Sequence, residues 1–112
     1  MQKLYQKEWF GIDYKSFTVL DSKKVADVSF YDRFYDEFYK KFNSYEELPE
    51  DWKAVKKQVA DLIIQMTNKN SKILSIGSGS GYIEYLLWKE GRDITAIEPS
   101  EKATRFLDNL VM

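Results

Sequence analysis

The stretch Lys72–Leu87, KILSIGSGSGYIEYLL, constrains this chain more than any other. Ile73, Leu74 and Ile76 form a short apolar run that reads as a buried parallel strand, and Gly77 ends it. Gly77, Gly79 and Gly81 alternate with Ser78 and Ser80, so the backbone can turn sharply, adopt positive φ and present N–H groups that no side chain screens. Tyr82–Glu90 has helical spacing, and the partial positive charge at its N-terminus favours an anionic or polar ligand group. Strand, glycine loop and helix in this order predict a nucleotide-type ligand site.

The segment that follows extends the pattern. The helix is apolar on most sides and ends at Gly91, a residue suited to a left-handed C-cap. Asp93–Ile97 (DITAI) reads as a second strand parallel to the first, because the intervening helix has the length of a crossover. Glu98 stands at its carboxyl end. Pro99 and Ser100 then start a last helix, with Ser100 as N-cap and Ala103, Phe106, Leu107, Leu110 and Val111 as its apolar face. Ligands of open parallel sheets bind outside the carboxyl ends of the strands, and an acidic residue some way past the glycines can accept both hydroxyls of a ribose. Glu98 occupies that place; the plainer reading is that it caps the next helix or faces water.

The upstream residues predict a helical region over 1–70. Met1–Leu20 reads as short helical or irregular structure, with Trp9 and Phe10 as hydrophobic anchors. Val25–Asn43 reads as a helix in which Phe30, Phe34, Phe38 and Phe42 recur every four residues, flanked by Tyr31, Tyr35 and Tyr39. This aromatic arc is about twice the usual one-sided stripe of roughly 100°. It predicts burial on two faces, one against the chain itself and one against a ligand, lid or second chain, unless the tyrosines merely tolerate an exposed margin. Asp51–Thr67 then repeats Trp52, Val55, Val59, Leu62, Ile63 and Met66 on one face, the pattern of a core helix.

Composition bounds the chemistry. The 112 residues suffice for one modest core, and no apolar run approaches the roughly 20 residues of a membrane span. Seventeen Lys and Arg nearly balance eighteen Asp and Glu, so no overall field draws the chain to nucleic acid. There is no cysteine and no histidine, which excludes disulfides, thiol nucleophiles, histidine triads and the usual zinc sites. MQKLYQKEWF lacks the features of a signal peptide, so a cytoplasmic protein is expected.

The glycine spacing separates cofactors. A dinucleotide fingerprint beginning at Gly77 needs Gly or Ala at position 82, where this chain has Tyr82. The pattern present is G-x-G-x-G, and ILSIGSGSGYIEYLL with AIEPS downstream resembles motifs I and II of the class I S-adenosylmethionine-dependent methyltransferases. The resemblance covers about residues 72–109. It implies an α/β, Rossmann-like parallel sheet over 71–112, incomplete because only the first two strands are present, preceded by a helical cap over 1–70. It implies S-adenosylmethionine as cofactor, with Gly77, Gly79 and Gly81 under its methionine part, Glu98 on the ribose, and Ser75, Ser78 and Tyr82 lining the pocket. The family has Asp or Glu where this chain has Ser75; a serine can hydrogen-bond but cannot attract an ammonium. The later strands that complete such a pocket are not in the sequence.

Three readings follow: a methyltransferase or its N-terminal cofactor-binding fragment, an adenosyl-binding module without turnover, and a purely structural oligomerisation module. The methyl acceptor is not legible. The open side of the sheet and the aromatic helix predict a homo-oligomer or a partner chain that completes the sheet.

Overall fold

A computed structural model describes residues 6–17 and 27–111, the side chains of Leu110 and Val111 excepted. Leu4, Tyr5, the expected helix start at Val25 and the terminal Met112 lie outside the described residues. In chain order the elements are β1 (Glu8–Trp9), β2 (Ile12–Asp13), α1 (Val28–Lys41), α2 (Glu50–Met66), β3 (Lys72–Ile76), α3 (Tyr82–Lys89), β4 (Asp93–Ile97) and α4 (Arg105–Val111). Short 3-10 turns at Tyr14–Ser16 and Tyr45–Glu47 join them.

The N-terminal segment forms a hairpin instead of the short helical or irregular structure expected. Glu8 pairs with Asp13 and Trp9 with Ile12, around a two-residue turn in which Phe10 and Gly11 have φ of 55° and 74°. Positive φ at both central residues gives the strands the twist a tight hairpin needs. Phe10 is an unusual residue for that position, and its surroundings hold it there. Its ring lies against Phe38 and Trp52, and its carbonyl accepts from Lys41 Nζ at 2.6 Å.

Asp27 caps α1 by accepting from the Phe30 N–H at 2.9 Å. Two faces of the helix are buried, as the wide aromatic arc predicts, but both are covered by this chain. On one side Trp9 stacks on Phe34 at 4.8 Å between centroids, and Phe10 packs edge-on against Phe38 and Phe42. On the other side Tyr39 donates to the Ala103 carbonyl and meets the Phe106 ring at 4.7 Å. Phe34 and Phe38 are fully buried and only the margin of the arc, at Tyr31, is exposed. The aromatic surplus is therefore core, not a surface left for a second chain.

The core-helix expectation for α2 is overturned. Its contact face towards α3 is centred on Ala60, with Trp52, Ile63 and Thr67 half-buried along the same side. Ala60 lets the helices approach closely. Val55, Val59, Leu62 and Met66 fall one residue, about 100°, round the helix and are exposed, Met66 by 77%.

β3 and β4 pair in parallel, with Lys72 opposite Asp93 and Ile76 opposite Ile97. The β-α-β unit and Gly91, with φ of 77° after α3, are as read from sequence. Burial of the strands is not. α3 covers the face carrying Ile73, Ser75, Ile94 and Ala96, whereas the opposite face is bare, with Leu74 58% and Ile76 79% exposed. A parallel strand is buried on both faces only where helices lie on both sides of the sheet, and among the described residues they lie on one. The outer edge of β3 is likewise unpaired among them. The last helix also differs from expectation: residues 101–104 form turns and α4 begins at Arg105, because the buried Ser100 side chain donates to Asp32 Oδ1 at 2.5 Å instead of capping a helix.

Candidate functional site

The carboxyl ends of β3 and β4 lie side by side, and the glycine loop leaves the first of them. Gly77 N–H donates to the Ile97 carbonyl at 2.7 Å, which prolongs the parallel ladder by one bond and brings the loop against Glu98. Gly77, Gly79 and Gly81 all have positive φ, of 74°, 60° and 78°, a region that side chains disfavour. Two of the three also lack room for a side chain. A Cβ on Gly79 would stand 2.8 Å from the Tyr35 hydroxyl, and one on Gly81 would stand 2.9 Å from Leu107 Cδ2. Gly77 faces open space, so only its backbone conformation requires glycine.

Glu98 joins the two strand ends. Its Oε1 accepts from Gly79 N–H at 2.9 Å and its Oε2 from Ser100 N–H at 2.8 Å. The side chain is half-buried, so one flank remains open to solvent. A carboxylate offers about four acceptor directions, and these two bonds leave the others free for hydroxyl donors. Both readings of Glu98 thus meet in one residue: it ties down the following turn, and it retains acceptor capacity beside the loop.

Ser75 and Ser78 sit at the base of the loop in different circumstances. Ser75 Oγ donates to Glu84 Oε1 at 2.7 Å, and Glu84, in the first turn of α3, is almost fully buried. Ser78 Oγ is buried and has no hydrogen-bond partner among the described residues. Such a hydroxyl costs free energy unless something supplies a partner. Tyr82 behaves otherwise: its ring lies in an aromatic layer 5.3 Å from Tyr45 and 5.6 Å from Trp52. Six of the seven residues read from sequence, Ser75, Gly77, Ser78, Gly79, Gly81 and Glu98, therefore surround the loop, and Tyr82 belongs to the packing behind it.

Sequence reasoning missed the tyrosines that approach from the N-terminal region. Tyr45 donates its hydroxyl to the Ser80 carbonyl at 2.6 Å, and the Tyr35 hydroxyl lies over Gly79. Burial pushes both phenols well above the usual tyrosine range, helped at Tyr35 by Tyr39 and Glu98 and at Tyr45 by Tyr39 and Glu84. They act at neutral pH as neutral hydroxyl groups and not as bases. The four-residue periodicity of α1 marks Tyr35 as part of the arc, but nothing in the sequence links it to Gly79.

A surface pocket of about 340 Å³ adjoins this region, between α1 and the start of α4. Tyr35 and Tyr39 form its floor, with Asp36, Lys102, Arg105 and Asp108 at its rim. Lys102 bridges to Asp36 at 2.9 Å, so part of that charge is already matched. No group of His, Cys, Asp or Glu that could hold a metal ion occurs among the described residues. Within them, no helix is long and apolar enough to cross a membrane. Comparison with family models, with curated proteins and with solved structures found no match to this chain.

Proposed function

We propose that this chain binds an adenosyl cofactor of the S-adenosylmethionine type and is the cofactor-binding part of a methyltransferase, acting on an acceptor that these residues do not define. The observation that carries the reading is Glu98. It stands at the carboxyl end of β4, holds the Gly79 N–H and Ser100 N–H, and keeps acceptor capacity for the two hydroxyls of a ribose. The unpartnered Ser78 hydroxyl fits the same reading, since a polar ligand group would satisfy it. When bound, the cofactor would supply an electrophilic methyl on sulfur. The chain's own part is to orient it and exclude water, which is where such a transfer gains most of its rate. The absence of histidine and cysteine is no obstacle to that.

A second reading, a loop that serves packing alone, is favoured by Tyr35 and Tyr45, which already press on the glycine loop from α1 and the turn after it. Calorimetric titration with S-adenosylmethionine, S-adenosylhomocysteine and NAD separates the two. Binding of the adenosyl compounds, weakened by about 1.5–3 kcal/mol in Glu98→Ala, supports the cofactor reading. Tight NAD binding without response to the adenosyl compounds, or no binding of any of them, sinks it.

A further inference from the structure

α1 grips the chain beyond β4 along one polar edge. Asp32, Asp36 and Tyr39 lie three to four residues apart on the helix, a spacing that places them on one side of it. Each holds a residue that follows Glu98. Ser100 Oγ donates to Asp32 Oδ1 at 2.5 Å, Lys102 Nζ to Asp36 Oδ2 at 2.9 Å, and the Tyr39 hydroxyl to the Ala103 carbonyl. Segment 100–103 is thereby laid along α1, next to Tyr35, whose hydroxyl stands over Gly79.

Of these three anchors, the first falls on the residue that bonds Glu98. Ser100 sends its backbone N–H to Glu98 Oε2 at 2.8 Å and its hydroxyl to Asp32, and at 1% exposure it is sealed from bulk water. The anchors at Lys102 and Ala103 lie downstream of that bond. Glu98 Oε1 is tied separately, to Gly79 N–H at 2.9 Å. A carboxylate held through one oxygen can swing about that bond, whereas a bond on each oxygen fixes its plane and, with it, the acceptor directions that remain. The donor of the second bond therefore aims the group, and Asp32 holds that donor. Lys102, whose pKa is raised first by its hydrogen bond to Asp36, also feels Asp32, so the charge on Asp32 is partly balanced from the same segment.

We propose that Asp32 is a positioning residue for ribose recognition: through Ser100 it fixes the plane of the Glu98 carboxylate and aims its open acceptor directions at a cis-diol. The inference rests on the adenosyl-cofactor reading and deepens it. It makes a residue of α1, outside the β-α-β unit, a determinant of specificity for ribose over deoxyribose, although Asp32 itself touches no ligand.

The test is titration calorimetry with S-adenosylhomocysteine and its deoxyribose analogue, which lacks one of the two ribose hydroxyls. It is run on the wild type, Asp32→Ala, Asp32→Asn, Ser100→Ala and the double variant Asp32→Ala/Ser100→Ala. The wild type should prefer the ribose compound by about tenfold or more, the range of a hydrogen bond to a charged group. Asp32→Ala and Ser100→Ala should each cut that preference to about threefold or less, the worth of a weak hydrogen bond. The double variant should fall no further, because both changes break the same link. Asp32→Asn keeps an acceptor for the Ser100 hydroxyl and should retain most of the preference, a rescue that a merely structural role would not produce. Ser100→Ala decides the matter should Asp32→Ala fail to fold. Variants that keep the wild-type preference, that weaken both compounds alike, or that lose it in Asp32→Asn as fully as in Asp32→Ala overturn the positioning role. A wild type that binds both compounds equally also overturns it and leaves the cofactor reading standing. A wild type that binds neither overturns both.

Discussion

The aromatic layer around α1 and the aliphatic surface of α2, β3 and β4 draw on equally apolar sequence, yet only the first is buried. Phe34, Phe38 and Phe42 meet rings from β1, from the hairpin turn and from α4, so elements distant in sequence converge on one helix from two sides. Val55, Val59, Leu62, Met66, Leu74 and Ile76 meet no such convergence and remain exposed. Periodicity states which residues share a face. Whether that face is covered depends on how many elements the fold brings to it.

Phe38→Ala tests the difference most severely. Its ring is fully buried and touches Phe10, Phe34, Tyr35, Tyr39, Phe42 and Phe106, so truncation should cost about 3–5 kcal/mol in urea unfolding. A loss below about 1 kcal/mol would mean that the layer can collapse into the cavity, and the contrast with the aliphatic face would disappear.

Alkaline pH should attack the same layer next. Burial is the first cause that raises the pKa of Tyr35, Tyr39 and Tyr45 above the ordinary 10.0. The folded chain therefore keeps these protons where the unfolded chain releases them. The stability linked to them is whole below pH 10 and is lost as the pH climbs towards the folded values. Fluorescence should report unfolding above pH 10 together with the part of the tyrosinate absorbance that Tyr35→Phe, Tyr39→Phe and Tyr45→Phe remove. Tyr39→Phe should flatten part of the pH slope. Loss of the protons behind that part of the signal without unfolding would show that these three phenols are open to solvent.

The glycine loop, where the two halves touch, gives a finer comparison. Gly77 and Gly79 share a left-handed backbone, but only at Gly79 does a neighbour crowd the Cβ position. Gly77→Ala should cost about 1–2 kcal/mol for the conformation alone, and Gly79→Ala more. In the Tyr35→Phe background the excess at Gly79 should shrink by at least about 0.5 kcal/mol, because the hydroxyl that causes it is gone. Equal costs for the two glycines, or perfect additivity with Tyr35→Phe, would separate α1 from the loop.

Much of the βαβ unit was legible because its signals are local. The run Ile73–Ile76, the alternating glycines, Gly91 at the helix end and DITAI each fix backbone behaviour over a few residues, and β3, α3 and β4 follow them. The hairpin was not legible, since Phe-Gly places an aromatic residue where Asn or Gly usually signals a tight turn. Within the candidate site, Glu98 could be read from its place after the second strand. Glu84 could not: as a single acidic residue in a helical pattern it looks like solvated surface, and only the approach of Ser75 across the turn reveals it. α2 failed for the opposite reason. Its stripe was clear, but Ala60, which decides the contact face, carries no weight in an apolar count.

The smallest effect is expected on the bare face. Leu74→Thr, Ile76→Thr and Met66→Gln change side chains that are 58%, 79% and 77% exposed, so each should shift the unfolding free energy by no more than about 0.5 kcal/mol. Threonine is β-branched and suits a strand, so it keeps that shape at Ile76 and introduces it at Leu74, and neither change lowers strand propensity. The measurement is sharpest as a series over protein concentration. If the face is bare in solution, the wild-type midpoint is independent of concentration and the substitutions stay silent. If Ile76→Thr instead costs about 2 kcal/mol or more, and the wild-type midpoint rises with concentration while the variant's does not, another copy covers this face in solution by mass action. The contrast between the two apolar regions would then be one between burial within a chain and burial between chains.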